Sequence, residues 1–154
     1  MEKIYETAYA KINLGLDVLG KRSDGYHEVR MVMQSVGLSD AVEIEEGEGL
    51  VVETDHSGLA GGPDNLAWKA AELLARCCGK IPNVHIRLNK NFLAAGLAGG
   101  SSDAAAVMRG LSRLWQLDLT APELEKLAAE LGSDIPFCIT GGTALAEGRG
   151  EILT

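Results

Sequence analysis

The chain has 154 residues, 46% of them hydrophobic and 23% charged, which is enough for one well-packed domain. Its formal net charge of −8 argues against a broad electrostatic grip on nucleic acid or on an anionic membrane. The N-terminus lacks the apolar core of a signal peptide, no run of about 18 apolar residues occurs, and the three cysteines lack metal-ligand spacing. We therefore predict a cytoplasmic protein with reduced thiols and no protein-only metal site, in which any anionic ligand is held locally.

Much of the first half of the chain has the patterns of β-strands. Apolar residues alternate with polar or small ones over 12–18, which predicts a half-buried strand. The residues predicted to face the core are Ile12, Leu14, Leu16 and Val18. Lys11 and Asn13 then share the opposite, polar face. Further strands are predicted at 29–36, 41–46, 50–54 and 84–89, and a loop at 57–65.

Helices dominate the second half. Helical spacing of apolar residues predicts helices over 66–78 and 101–115. Thr120 and Glu123 form a capping-box signature for a third helix over 121–131, and Gly132 is a suitable stop. We interpret 135–153 as one more strand, interrupted by the glycine pair 141–142. The whole pattern is mixed α and β, with no linker or internal repeat that divides it.

The stretch AAGLAGGSSDAAA (94–106) runs from glycines directly into good helix formers. Such a turn brings free backbone N–H groups and the positive end of a helix dipole to one point, which suits a phosphate, and Ser101 and Ser102 would add hydroxyl donors. A tight turn with Ser102 or Asp103 as N-cap explains the same residues. The stretch matches neither G-x-x-x-x-G-K-[ST] nor a G-x-G-x-x-G after a strand, so an ordinary P-loop or Rossmann domain is disfavoured.

Three long motifs carry a family resemblance. AKINLGLDVLGKRSDGYHEVRMVMQSVGLSD (10–40), AAGLAGGSSDAAAVMRGLSRLW (94–115) and LGSDIPFCITGGTALAEGRGE (131–151) resemble, in order and spacing, the 4-diphosphocytidyl-2-C-methyl-D-erythritol kinases of the GHMP kinase superfamily. The resemblance implies ATP-dependent phosphorylation of the 2-hydroxyl of a cytidine-diphosphate-linked methylerythritol, in non-mevalonate isoprenoid synthesis. Mg²⁺ would arrive with the ATP.

The resemblance also implies an architecture. The expected fold is the α+β, two-layer GHMP kinase N-terminal domain of the ribosomal protein S5 domain 2-like type, with a mixed sheet packed against helices over residues 1–154. Family chains continue into a C-terminal domain of comparable size, which would be the partner of this one. Family members also carry a proline shortly before the glycine motif, whereas NKNFLAAG (89–96) has none and is one residue short.

The family's site residues map onto positions of this chain. Lys11 resembles the lysine beside the transferred phosphoryl group, and Asp134 resembles the carboxylate that accepts the proton of the substrate hydroxyl. Asn13 would help to hold the substrate, while Tyr26 and His27 resemble the groups that stack on and hydrogen-bond the cytosine. The resemblance assigns ATP binding to Asn65, Ala95, Gly96, Leu97, Ala98, Gly99, Gly100, Ser101, Ser102 and Asp103.

Each of these residues also has a plain structural explanation. Lys11 and Asn13 could be solvated strand residues, Tyr26 could pack over a turn beside an exposed His27, and Asp134 could be a turn aspartate that satisfies nearby N–H groups. Asn65 is explained equally well as a helix N-cap.

Two other functions compete with the implied kinase. One is a GHMP kinase that acts on another small hydroxyl substrate, such as homoserine or mevalonate, although DGYHE (24–28) fits a cytidine site better. The other is a non-catalytic nucleotide-binding half that works only beside a second domain. On either view, we expect the chain by itself to have little activity.

Overall fold

A computed structural model of the protein describes residues 3–56, 61–92 and 97–154. Within these ranges the chain forms a six-stranded mixed sheet and four helices. Alternate residues of one strand show the two layers: Val84, Ile86 and Leu88 are buried against the helices, while His85 and Arg87 face solvent. The predicted two-layer α+β architecture is confirmed.

The first two of the six strands are much longer than the others. The strands are β1 (Lys3–Lys21), β2 (His27–Glu46), β3 (Val51–Thr54), β4 (Val84–Asn89), β5 (Thr143–Gly148) and β6 (Ile152–Leu153). The order is β3-β4-β2-β5-β6, and β1 pairs along the length of β2. Only β3 and β4 run parallel among the pairs of the described ranges. The two strands predicted at 29–36 and 41–46 are thus one continuous strand, because β1 pairs with the residues between them through a register shift near Tyr9.

The helices are α1 (Leu66–Cys78), α2 (Gly99–Leu114), α3 (Ala121–Ala128) and α4 (Ile135–Thr140). The predicted bounds of α1 and β4 are confirmed, and the capping box of α3 is present in both directions between Thr120 and Glu123. Three helix bounds were wrong: α2 starts two residues earlier and ends one residue earlier than predicted, and α3 ends three residues earlier. No helix in the described ranges is long and apolar enough to cross a membrane.

The interpretation of 135–153 as one strand is wrong in its first part, because 135–140 forms α4. The alternation of Ile135, Phe137 and Ile139 resembles a strand, yet all three are buried in a helix that is enclosed on several sides. Arg109 of α2 donates from Nη1 to the carbonyls of Cys138 (2.6 Å) and Ile139 (3.2 Å), at the C-terminal end of α4. A distant side chain therefore satisfies carbonyls that a short helix leaves free.

The predicted core face of the 12–18 segment is also wrong. Leu14, Leu16 and Val18 are each more than half exposed, while Lys11 is buried. The outer parts of β1 and β2 form a hairpin, and β1 has further register shifts between Asn13 and Gly15 and between Val18 and Gly20. The alternation correctly predicted a strand, but it could not tell whether a helix would cover it.

Candidate active site

The first turn of α2 presents backbone donors that no side chain caps. Its N-cap residue, Ala98, has a left-handed conformation (φ 59°) and makes no side-chain capping bond. The first N–H groups of an α-helix have no partner within the helix, so those of Gly99, Gly100 and Ser101 can reach an anion. The alternative in which Ser102 or Asp103 is the N-cap is wrong, because both lie inside the helix.

Ser102 and Asp103 are directed into the domain. The Ser102 hydroxyl donates to the Tyr9 carbonyl at 2.6 Å, and Asp103 joins a buried ion cluster with Lys90 and Asp40, two residues that the sequence analysis did not single out. Leu97 accepts a hydrogen bond from the Lys11 amide at 3.1 Å. The start of α2 is therefore bonded to β1 close to Lys11. Ala95 and Gly96 lie outside the described residues, as does the part of the shortened stretch at 93–94.

Lys11 and Asp134 come together from opposite ends of the chain. Lys11 Nζ lies 3.9 Å from Asp134 Oδ2 and donates to Asn13 Oδ1 at 3.5 Å. The lysine side chain is 5% exposed and the aspartate 38%, so the pair opens to solvent on the carboxylate side. Asp134 precedes α4 but makes no capping bond with its side chain. Its carboxylate is thus not used as the turn aspartate that the sequence also allowed.

Tyr26 and His27 lie at the far end of the β1–β2 hairpin, where both are exposed. The turn before them is built by Asp24, whose Oδ1 accepts from the Tyr26 amide at 3.0 Å. The Arg149 guanidinium stands 4.9 Å from the centroid of the Tyr26 ring. Arg149 lies between Gly148 and Gly150 in the third motif, but its position beside Tyr26 was not predicted. It reaches the hairpin because the β5–β6 turn brings it there.

Asn65 is the N-cap of α1. Its side chain accepts from the Ala67 amide at 2.8 Å, as the capping explanation predicted. The start of α1 nevertheless lies close to the start of α2, because a Cβ added at Gly100 would be 3.5 Å from Leu66 Cδ1. Asn65, the residue before Leu66, therefore caps α1 near the start of α2.

The three cysteines are free, and Cys138 lies closest to the candidate site. Burial raises the pKa of the Cys138 thiol to about 12, and the nearby Asp134 adds to the rise while Lys11 opposes it. The thiol stays protonated at neutral pH, which makes it a poor nucleophile. In the described ranges no group of three or more His, Cys, Asp or Glu residues could hold a metal ion.

The chain thus combines a two-layer fold, a glycine-rich helix start without a side-chain cap and a facing Lys–Asp pair. Residues 65–142, about half of the chain, match the GHMP kinases N terminal domain, and the chain belongs to that family.

Relatives of this chain include 4-diphosphocytidyl-2-C-methyl-D-erythritol kinases. The chain is 51% identical over 152 residues to the 4-diphosphocytidyl-2-C-methyl-D-erythritol kinase of Caldanaerobacter subterraneus subsp. tengcongensis, covering 98% of this chain and 53% of the relative. The enzyme of that name from Synechococcus sp. strain JA-3-3Ab is 55% identical over 148 residues, 95% of this chain and 48% of the relative.

A solved structure agrees with the sequence matches. The crystal structure of a 4-(cytidine 5'-diphospho)-2C-methyl-D-erythritol kinase superposes with a TM-score of 0.83 at 38% identity, covering 98% of this chain and 54% of that one. The resemblance predicted from the three motifs is confirmed, and the chain spans about half the length of the relatives it matches.

Proposed function

We propose that this chain is the ATP-binding N-terminal half of a kinase that phosphorylates the 2-hydroxyl of 4-diphosphocytidyl-2-C-methyl-D-erythritol. The observation that carries the proposal is the meeting of Lys11, Asp134 and the start of α2. Lys11 Nζ is 3.9 Å from Asp134 Oδ2, and its own amide is bonded to Leu97 just before the helix. A base, a cation and a phosphate-binding helix start are the parts that phosphoryl transfer to a hydroxyl needs.

ATP would bind with its phosphates at the first turn of α2. The amides of Gly99, Gly100 and Ser101 fit this role, since no side chain caps the helix. The chain's acidic character elsewhere makes a local site necessary. Mg²⁺ would neutralise phosphate charge when it is bound, and we expect phosphate oxygens and waters to supply most of its ligands because the described residues form no cluster for it.

Asp134 would act as the general base and Lys11 as its electrostatic partner. The carboxylate takes the proton of the hydroxyl while that oxygen attacks the γ-phosphorus, and the bond from the γ-phosphorus to the bridging oxygen breaks to release ADP. The nearby ammonium would offset negative charge on the transferring group. Asn13, hydrogen-bonded to Lys11, would help to orient the hydroxyl.

The substrate's cytidine would be held at Tyr26 and His27. Both side chains are exposed on the hairpin, and an aromatic ring with an imidazole suits the π face and polar edge of a base. The relatives named above support a cytidine-linked substrate, because they are 51% and 55% identical to this chain over 98% and 95% of its length.

A second domain would complete the cleft. The relatives are about twice as long as this chain, so a family member has room for a C-terminal domain. The exposed apolar residues of β1, Leu14, Leu16 and Val18, are suited to pack against such a domain. Residues 1–154 would then form the N-terminal domain, and transfer would need both halves to position the substrates.

Substitution of the base tests the proposal. In the full-length enzyme, Asp134→Asn keeps the shape of the side chain but cannot accept the proton, so we expect kcat to fall by about two to four orders of magnitude. Lys11→Met should also lower kcat, and the double variant should lose less than the sum because the two residues act as a unit. Binding of ATP and of the cytidine substrate, measured by calorimetry, should persist. Wild-type turnover by Asp134→Asn would exclude this base.

A non-catalytic nucleotide-binding half is the second candidate. The observation that favours it is the open side of the Lys11–Asp134 pair, where the aspartate is 38% exposed and no second wall excludes water. ATP binding without turnover in the full-length protein would support this candidate over the kinase. Turnover of homoserine or mevalonate, and none of the cytidine substrate, would instead support a kinase of another specificity.

A further inference from the structure

Three charged side chains are buried together beneath the start of α2. Asp40 of β2, Lys90 just after β4 and Asp103 of α2 are 0%, 1% and 2% exposed. Lys90 Nζ donates to Asp103 Oδ2 at 2.6 Å and also to Asp40 Oδ2. Asp40 is held in turn by the Asn91 amide, which donates to its Oδ1 at 2.6 Å. We call these three residues the buried ion cluster.

The buried ion cluster is costly, so stability alone is a poor explanation for it. Removing charges from water carries a penalty that pairing repays only partly, and apolar replacements of buried ion pairs are often neutral or stabilising. Here two carboxylates face one ammonium, and Asp103 Oδ1 has no hydrogen-bond partner among the described residues. Burial raises the pKa of Asp103 to about 8, and the hydrogen bond with Asp40 adds to the rise while Lys90 opposes it.

The position of the buried ion cluster suggests what it does. Asp103 is in the second turn of α2, and its bond to Lys90 ties that helix to the end of β4. Gly99, the first residue of α2, packs onto the same group: a Cβ there would lie 3.2 Å from Phe92 Cε2 and 3.5 Å from Lys90 Nζ. The Phe92 ring also stands 5.2 Å from Lys90 Nζ. Gly99 therefore faces the protein, so a valine there would disturb this packing as well as any ligand contact.

We infer that the buried ion cluster is a positioning device, which holds the first turn of α2 against β2 and β4 so that its amides are aimed at the nucleotide phosphates. The inference rests on the proposed phosphate site. It assigns Asp40, Lys90 and Asp103 no contact with ATP. A hydrogen bond from the Lys90 ammonium is directional, whereas apolar packing at the same place would leave the helix free to slide or rotate by small amounts.

Asp103→Leu separates positioning from stability. It removes the excess carboxylate and leaves Lys90 paired with Asp40, so we expect the thermal unfolding midpoint to stay equal or rise. The bond that aims α2 is lost, so the affinity of the 154-residue chain for ATP should fall about tenfold. The affinity for inorganic triphosphate should fall by the same factor, and the affinity for adenosine should not change. Calorimetry measures all three. Asp103→Asn, which can still bond to Lys90, should restore ATP affinity.

A second variant with a matched control, and a second measurement, use the same 154-residue chain. Lys90→Met should lower the affinity for ATP as Asp103→Leu does. Its matched control is Lys126→Met, at an exposed position of α3. Hydrogen exchange of the Ser102 and Lys11 amides, which donate to the carbonyls of Ala98 and Leu97, should speed up in Asp103→Leu while α1 stays protected. Unchanged triphosphate affinity and unchanged exchange in Asp103→Leu would overturn the inference. A wild-type chain that binds neither ATP nor triphosphate would overturn the phosphate site and, with it, this inference.

Discussion

Lys11 illustrates how the surroundings of one residue decide its chemistry. An ammonium that is almost wholly buried needs partners, because desolvation disfavours its charged form. Asp134 and Asn13 supply them from α4 and from its own strand, at 3.9 and 3.5 Å. The carboxylate remains far more exposed than the lysine, so the reactive side of the pair is the one that a substrate can reach.

At the hairpin, Tyr26 carries a prediction about substrate recognition. If its ring stacks on the cytosine, Tyr26→Ala in the full-length enzyme should weaken binding of the cytidine substrate by about 1–3 kcal/mol and leave ATP affinity nearly unchanged. Calorimetry with each ligand measures both. Tyr5→Ala, at another exposed tyrosine of β1, is the matched control. Equal losses for the two ligands would point to a folding defect around the turn.

The raised pKa of Asp103 leads to a prediction about how stability depends on pH, without any ligand. Its pKa is about 8 in the folded chain, mainly through burial, against about 4 when unfolded. The folded state therefore holds the proton more tightly, and this contribution to the free energy of unfolding falls as pH rises from about 4 to about 8. The charged or titratable neighbours are Lys90, Asp40 and Cys138.

Urea unfolding across that pH range measures the effect. As pH rises, the free energy of unfolding of the wild type should fall relative to that of Asp103→Asn, because asparagine does not titrate. A difference that stays constant with pH would show that Asp103 is ionised throughout.

Among the elements, α2 is the one on which both the core and the site depend. Nearly all of its residues from 102 to 111 are buried, and small residues let it approach the sheet closely. At Gly110 an added Cβ would lie 2.5 Å from Ile44 Cδ1 and 3.4 Å from Ile4 Cγ2. The helix therefore contacts both long strands through a position that has no room for a side chain.

Gly110→Val should accordingly destabilise the domain. Overpacking against Ile44 and Ile4 is expected to lower the free energy of unfolding by about 1–3 kcal/mol, measured by urea denaturation. Gly37→Val is the matched control, because a Cβ at Gly37 meets nothing within 4 Å. A loss at Gly110 no larger than that at Gly37 would mean that α2 can move away from the sheet without cost.

For the molecule as a whole, the exposed apolar part of β1 and the length of the relatives lead to a prediction about activity. The 154-residue chain should bind ATP but show little turnover of the cytidine substrate, because one wall cannot hold both reactants in line. Side-by-side assays of this chain and the full-length enzyme, at equal concentration, measure the difference. Equal kcat values would show that the reactive site is complete within these residues.

Local patterns predicted a large part of this fold. The bounds of α1 and β4 and the capping box of α3 follow from residue spacing and short-range hydrogen bonds, which depend on neighbours in the chain, whereas the two-layer class was implied by the family resemblance. The family motifs added Lys11 and Asp134, and the structure brings this pair together. Their roles in catalysis stay predictions, as do those of Asn13, Tyr26, His27, Asn65 and 95–103.

Burial, in contrast, was decided by tertiary partners. The same alternation of apolar residues became a buried helix at 135–139, where Arg109 binds its end, and an exposed hairpin strand at 14–18, where no helix of the described chain covers it. The buried ion cluster joins residues 40, 90 and 103, and no spacing rule links positions so far apart. The sequence by itself determined most of the helices and strands, though not α4, and the family they belong to, because those properties are local or shared with relatives. Only the packing of elements determined which faces are covered and which charges meet, because both depend on contacts between distant parts of the chain.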